Sequence, residues 1–369
     1  MILDKRKISR TQFMFSVACF IQSSSLLTSF FTSITKQDSW IAVILGSIVS
    51  IPTLLIYSYI MKKFPDKNLI EINDMVFGPI IGKIFSIIYI WFFMTLSAIN
   101  TKDLGEFVQK TILDNTPSII IVGALLLLCS WTVRNGIEIV TRYSLLFTFI
   151  ATTIVISTVF LTINQMEMDN FLPILQQPKM AYVRATHIIS AIPFGELVVI
   201  LMLNPNLDIE PKKRIKYLLY GFLIGGFTLL LVVFRDIAVL SKTIEIFLLP
   251  SYETLRLISV YSTLSRVEAL FAISLIILMF FKISVLYYIS VMGIAYLFKM
   301  KSYKPLVLSI GVIIIIYSFI VYPSIIAHMK SGSETAPFGW LVVESILPLI
   351  TAIVAKIRKL PEQKKGMSS

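Results

Sequence analysis

Charge is scarce in this chain. Only 15% of its 369 residues are Asp, Glu, Lys or Arg, against about 25% in an ordinary soluble domain. No long polar block is present in which a water-facing domain could be built. Histidine and cysteine are nearly absent, with two of each. Cys19 and Cys129 both lie inside apolar runs without metal-ligand spacing, which excludes a disulfide framework. Two separated histidines, His187 and His328, offer no ligand pattern either. A His/Asp cluster, a catalytic cysteine arrangement and a phosphate-binding glycine loop are all missing, so an enzyme is the least favoured class.

What is abundant is apolar sequence. Hydrophobic residues make up 56% of the chain and mean hydropathy is +0.84. A spanning helix takes about 20 apolar residues, and ten segments meet that need: 12–34, 40–61, 82–101, 117–133, 143–163, 185–203, 215–234, 266–297, 305–323 and 338–357. The runs are continuous and do not alternate as barrel strands do, so the fold class is an all-α integral membrane protein with ten transmembrane helices. The eighth run is too long for an upright span and is expected to tilt or to extend beyond the lipid. Lys5, Arg6, Lys7 and Arg10 precede the first run in the manner of a signal peptide. No small-residue cleavage site follows, so it is read as an uncleaved helix.

The net charge of +12 is explained by placement. With the N-terminus inside, 22 of the 33 lysines and arginines fall on cytoplasmic segments and 10 on outer ones, Arg235 and Arg266 among the latter. This is the positive-inside pattern. It puts both termini in the cytoplasm and makes anionic lipid, not nucleic acid, the partner of the basic residues. Of the longer outer connections, 235–265 carries two candidate interfacial helices, Ile244–Leu249 and Leu255–Tyr261, and Ser331–Pro337 reads as a plain turn-rich loop.

Polar residues inside lipid mark the candidate site. Span one carries Gln22-Ser23-Ser24-Ser25 at its middle, and span six carries Pro193-Phe194-Gly195-Glu196. Serine hydroxyls compete for the helical backbone, proline removes a donor, and an acid at the midplane is costly. The breaks occupy the same place in two sets of five spans, the arrangement that points to a binding site between inverted repeats. The two halves share no visible identity, so the repeats are inferred from placement. Each feature also has a plainer reading: close small-residue packing for the serines, a simple kink for Pro193, and a buried hydrogen-bonded acid for Glu196. Lys282, within Ile276–Val285, is far from either end of span eight, and a buried ammonium needs a partner. Three uses fit it: pairing with Glu196, holding a ligand carboxylate, or standing in for a sodium ion; the plainer one is reaching headgroups at a helix end. Span three adds Thr95, Ser97 and Asn100, with Asn100 facing either a cavity or the interface. Glu138 and Arg142 are an i,i+4 helical pair. Arg266 and Glu268 are two apart and need separate partners, and the role of Glu344 in span ten is open.

A series of short motifs resembles the spore germination permeases, the B subunits of GerA-type nutrient germinant receptors in the amino acid–polyamine–organocation transporter superfamily. They are Ile8-Ser9-Arg10-Thr11-Gln12-Phe13, Asp38-Ser39-Trp40-Ile41, Phe64-Pro65-Asp66-Lys67-Asn68-Leu69, Phe77-Gly78-Pro79-Ile80-Ile81-Gly82, Thr116-Pro117, Gly136-Ile137-Glu138 with Arg142, Asn170-Phe171-Leu172-Pro173, Phe194-Gly195-Glu196 and Ser265-Arg266-Val267-Glu268-Ala269-Leu270-Phe271. Each is short, but their order and spacing cover about residues 8–360. The resemblance implies a LeuT-like fold of two inverted five-helix repeats, 8–164 and 184–358, with broken helices one and six and a cytoplasmic tail at 359–369. It implies a small nutrient, usually an amino acid, bound between helices one, three, six and eight. The residues so placed are Gln22, Ser23, Ser24, Ser25, Leu96, Asn100, Pro193, Phe194, Gly195, Glu196 and Lys282. It further implies assembly with germinant receptor A and C subunits in the spore inner membrane, and no cofactor. Two departures stand out: Ser23 and Ser25 occupy places where the family commonly has glycine, and Lys282 stands where a small or hydroxyl residue is more usual. An ordinary amino acid permease, proton-coupled through Glu196, fits the same residues, and a membrane subunit with a vestigial pocket is the third reading.

Overall fold

The computed structural model describes residues 6–24, 28–261 and 267–361, and among them the chain is almost wholly helical. Span one is two pieces, Arg10–Gln22 and Ser29–Thr35. Spans two, three and four are Ser39–Lys63, Ile81–Thr111 and Ser118–Arg134. Span five is Ile137–Arg142 continued by Ser144–Leu161. Span six runs from Lys179–Ile189 to Ile200–Leu203. Spans seven, eight and nine are Arg214–Leu240, Glu268–Leu297 and Leu306–Ile320, and span ten ends with Leu347–Ile357. The ten expected spans are all present.

Local sequence sets the ends. Ser9 and Gln12 form a capping box at the start of span one: the Ser9 hydroxyl accepts from the Gln12 N–H and the Gln12 side chain accepts from the Ser9 N–H. Both donors would otherwise be orphaned. Span three continues ten residues beyond its apolar run, because Lys102, Asp103 and Glu106 end the hydropathy signal without breaking the helix. Span seven likewise reaches Leu240. This corrects the placement of Arg235 on an outer loop. It is buried inside the helix, where its guanidinium donates to Asp236 Oδ1 at 2.7 and 2.9 Å and to the Thr158 hydroxyl at 2.7 Å. Ser251 donates to the other oxygen of Asp236.

The connection after span seven holds a 3-10 turn at Ser241–Ile246 and a helix at Pro250–Tyr261, close to the two interfacial pieces expected. The stretch 331–337 is not a loop. It ends the helix Ile325–Glu334 and starts Ala336–Leu341. Ser324 caps the first by accepting from the Ala327 N–H, and Pro337 sits in the first turn of the second, where its missing N–H costs nothing.

Packing between spans uses small residues where backbones approach closely. Gly221 and Gly225 of span seven face Met14 and Ile21 of span one; a Cβ on Gly225 would stand 2.7 Å from Ile21. At the N-terminal side, the segment before span one is strapped to the end of span six. The Ile8 N–H donates to the Asn206 carbonyl at 2.7 Å and the Asp208 N–H to the Ile8 carbonyl at 2.9 Å. Arg214 closes the same side. Buried, it donates to the carbonyls of Met61, Pro65 and Ile209 and to the side chain of Asn204.

Candidate functional site

The two breaks take different forms. The N-terminal half of span one tightens at Ser23 and Ser24 after its last α-turn, and the Ser23 hydroxyl donates to the Phe20 carbonyl at 2.6 Å. Serine here serves one of the last carbonyls of that helical piece. Span six stays helical but changes register: Ser190–Phe194 is π-helical and Gly195–Val199 is 3-10. Pro193 supplies no N–H for a regular ladder. Such wide-then-narrow turns are found at functional positions. Span ten has a matching π-turn at Val342–Ile346, which carries Glu344.

Between these elements lies a closed ion cluster. The Lys282 ammonium is 2.6 Å from Glu196 Oε2, and the two side chains are 0% and 1% exposed. The ammonium also donates to the Ser24 hydroxyl at 3.0 Å and stands 5.1 Å from the centre of the Phe20 ring. Three spans therefore meet at one nitrogen: one, six and eight. Of the three uses open to Lys282, the geometry is that of the pair with Glu196. A second carboxylate adjoins it. Glu344 is buried, is within electrostatic reach of both Glu196 and Lys282, and lies directly against Gly195. The Tyr57 hydroxyl of span two bridges the carbonyls of Gly195, at 3.0 Å, and Glu344, at 2.5 Å.

The other expected site residues divide. Gln22 turns to the opposite side of span one: its amide nitrogen donates to the hydroxyls of Thr152 at 2.9 Å and Thr228 at 3.0 Å, and its oxygen has no partner among the described residues. It lines a cavity of about 30 Å³ shared with Thr158, Arg235 and Ser274. Phe194 packs its ring on Phe222, 4.7 Å between centres. Leu96 and Asn100 are buried in span three, and the Asn100 amide donates back to the Leu96 carbonyl at 2.7 Å. Ser25 lies outside the described residues, as does Arg266. Glu344, Tyr57 and Phe20 were not assigned to the site from the sequence. Glu344 did carry the signal of an intramembrane carboxylate, but nothing in the chain placed span ten against span six. Among the described residues there is no group of three His, Cys, Asp or Glu arranged for a metal.

At the far side, the end opposite the N-terminal strap, His328 Nδ1 is 3.0 Å from Asp103 Oδ1. Burial pulls the imidazole down, but the adjacent Asp103, with Glu106, outweighs both burial and the opposing Lys102. His328 therefore holds its proton above the usual histidine range.

The fold is shared with solved transporters. A nucleobase-cation-symport-1 family transporter, Mhp1, aligns over 94% of this chain and 78% of its own with a TM-score of 0.70 at 13% identity. MhsT in complex with L-phenylalanine aligns over 95% of this chain and 89% of its own with a TM-score of 0.68 at 11% identity. At these identities the likeness establishes the fold, the LeuT-like arrangement of two inverted sets of five spans. In sequence, spore germination protein KB of Bacillus subtilis (strain 168) is 30% identical over 369 residues, 98% of each chain. The putative spore germination protein YfkT of the same strain is 24% identical over 327 residues, 88% of this chain and 89% of its own. The profile of the family described as Spore germination protein matches residues 7–325. This chain, a multi-pass membrane protein, belongs to the family of spore germination proteins.

Proposed function

We propose that this protein is the membrane subunit of a spore nutrient germinant receptor, which binds a small nutrient at the membrane midplane between spans one, three, six and eight. On this reading it sits in the spore inner membrane with both termini in the cytoplasm and works with A and C subunits of the receptor. The observation that carries the proposal is the Lys282–Glu196–Ser24 cluster, which ties both breaks to span eight.

An α-amino acid suits that cluster. Its carboxylate competes for Lys282 and its ammonium for Glu196, so one net-neutral ligand replaces one internal ion pair and leaves neither buried charge unmatched. The N–H groups at the start of the outer half of span one favour the same carboxylate. Ser23, Ser24, Leu96, Asn100, Pro193, Phe194, Gly195, Glu196 and Lys282 are the residues this proposal assigns to the region, while Gln22 faces away from it. A ligand that opens the pair loosens span one from spans six and eight. It shifts the equilibrium by its difference in affinity for the two states and no more. In a receptor the shift passes to partner subunits. In a permease, the second reading, it opens the opposite gate; the fold shared with solved transporters supports that reading.

The test is complementation of spores lacking this chain with wild type, Glu196→Gln or Lys282→Ala. Germination is scored against amino acids, nucleosides, sugars and salts, with protein level checked by blot. Loss or change of response to one nutrient class at normal abundance is expected. Normal responses in both variants overturn the proposal. Uptake of labelled amino acid by vesicles holding this chain alone establishes the permease instead.

A further inference from the structure

The helix Ile325–Glu334 lies on the far side of the molecule and is held there by contacts of His328 and Gly332. The imidazole lies flat on Tyr322, 4.8 Å between ring centres at 22°, and edge-on to Phe30 of the outer half of span one, 5.4 Å at 81°. Its Nδ1 pairs with Asp103 of span three. One turn on, Gly332 lets the helix close on the same Phe30; a Cβ there would stand 2.6 Å from the ring. Lys102, the neighbouring cation, is engaged elsewhere: its ammonium donates to the Tyr322 carbonyl at 2.6 Å. The second oxygen of Asp103 is buried without a hydrogen-bond partner among the described residues. Phe30, Asp103, Glu106, Phe107 and His328 border a cavity of about 80 Å³ beneath.

We propose that the His328–Asp103 pair is a proton-controlled latch: the imidazolium fastens the Ile325–Glu334 helix to the outer half of span one and to span three, and loss of its proton frees that helix. The charge balance makes the contact conditional. Glu106 pairs with Lys110 at 3.2 Å, and Lys102 faces the Tyr322 carbonyl, so the imidazolium is the cation that answers Asp103. A neutral imidazole keeps at most one ordinary hydrogen bond and leaves a carboxylate about nine-tenths buried, at 11% exposed, without its counter-charge. Such a state is costly. Asp103 and Glu106 favour the proton and Lys102 opposes it. The latch therefore holds at acidic pH and releases as pH rises past the raised histidine value. Because Phe30 belongs to the outer half of a broken span, release also frees the half-helix that borders the midplane site. The inference does not depend on which ligand that site takes.

The test uses full-length protein in nanodiscs with spin labels on Ile326→Cys and Ile112→Cys, both exposed positions; the native Cys19 and Cys129 are buried. Distances between labels are measured from pH 5 to pH 9. A short, narrow distribution at low pH that lengthens or broadens at high pH is expected. His328→Gln abolishes the titration. Asp103→Asn removes the carboxylate that the imidazolium answers and is expected to flatten the titration as well. His328→Lys, a cation at every pH used, stays in the short distribution throughout, so the proposal stands or falls even where one neutral variant folds poorly. A pH-independent distance in the parent protein, or an unchanged titration in His328→Gln, overturns it.

Discussion

The α-carbon of Gly195 rests directly against the carboxylate of Glu344, with no space for a methyl group between span six and span ten. Any side chain at 195 must push away either that buried acid or the Ser190 carbonyl, which a Cβ would approach to 3.0 Å. Gly195→Ala is expected to destabilise the protein by about 1–3 kcal/mol and to abolish the nutrient response. Adding Glu344→Ala to it should restore part of the stability. Thermal melts of the purified single and double variants measure both effects, and a Gly195→Ala protein with a parental melt refutes the close contact.

The ion pair gives a second prediction. Lys282→Met leaves Glu196 buried without its cation, and Glu196→Gln leaves Lys282 without its anion. Each is expected to cost about 3–5 kcal/mol, whereas the double variant costs clearly less than the sum. Denaturation of all four proteins under one condition supplies the cycle. Additive losses mean that the two side chains do not stabilise one another.

Arg235 and Asp236 form another buried pair, and here the neighbours differ. Asp236 also receives the Ser251 hydroxyl, which ties the Pro250–Tyr261 helix to span seven. Ser251→Ala is expected to cost about 1 kcal/mol and to raise proteolysis within that helix. Arg235→Met is expected to cost about 3–5 kcal/mol. Equal cleavage of parent and Ser251→Ala by a protease added to the far side tells against the tie.

Arg214 tests geometry at constant charge. Its fork reaches carbonyls on three segments and the Asn204 side chain at once, which a single ammonium cannot do. Arg214→Lys is expected to lose about 2 kcal/mol while the protein still inserts. A parental melting temperature for this variant removes Arg214 from the closure of that side.

Much of this architecture is legible in the chain because lipid leaves few choices. Backbone groups in hydrocarbon must be paired within a helix, so ten long apolar runs become ten spans. Pro193-Phe194-Gly195 marks a change of register for the same reason. The run boundary misled wherever a helix leaves lipid without ending, at Lys102 in span three and at Arg235 in span seven. At 331–337 the turn-forming residues lie within helices: Ser331 and Ser333 fall in the last turns of one and Pro337 in the first turn of the next, where a missing N–H costs nothing. The partners of Lys282 were within reach of inference because a buried ammonium demands an anion and Glu196 is near the same depth. Glu344 and Tyr57 were not. Their place depends on how span ten and span two pack on span six, more than a hundred residues away from each. Gln22, expected at the same site as Ser24, faces the other way, because its side chain finds two threonine hydroxyls on spans five and seven.

The strap between Ile8 and the 206–208 segment carries a mechanical consequence. Two backbone hydrogen bonds couple the start of span one to the end of span six, so the N-terminal halves of one discontinuous helix and the C-terminal part of the other form a single lever. A force that tilts either half on that side of the membrane is delivered to both, and whatever grips the chain at Ile8 holds the handle of that lever.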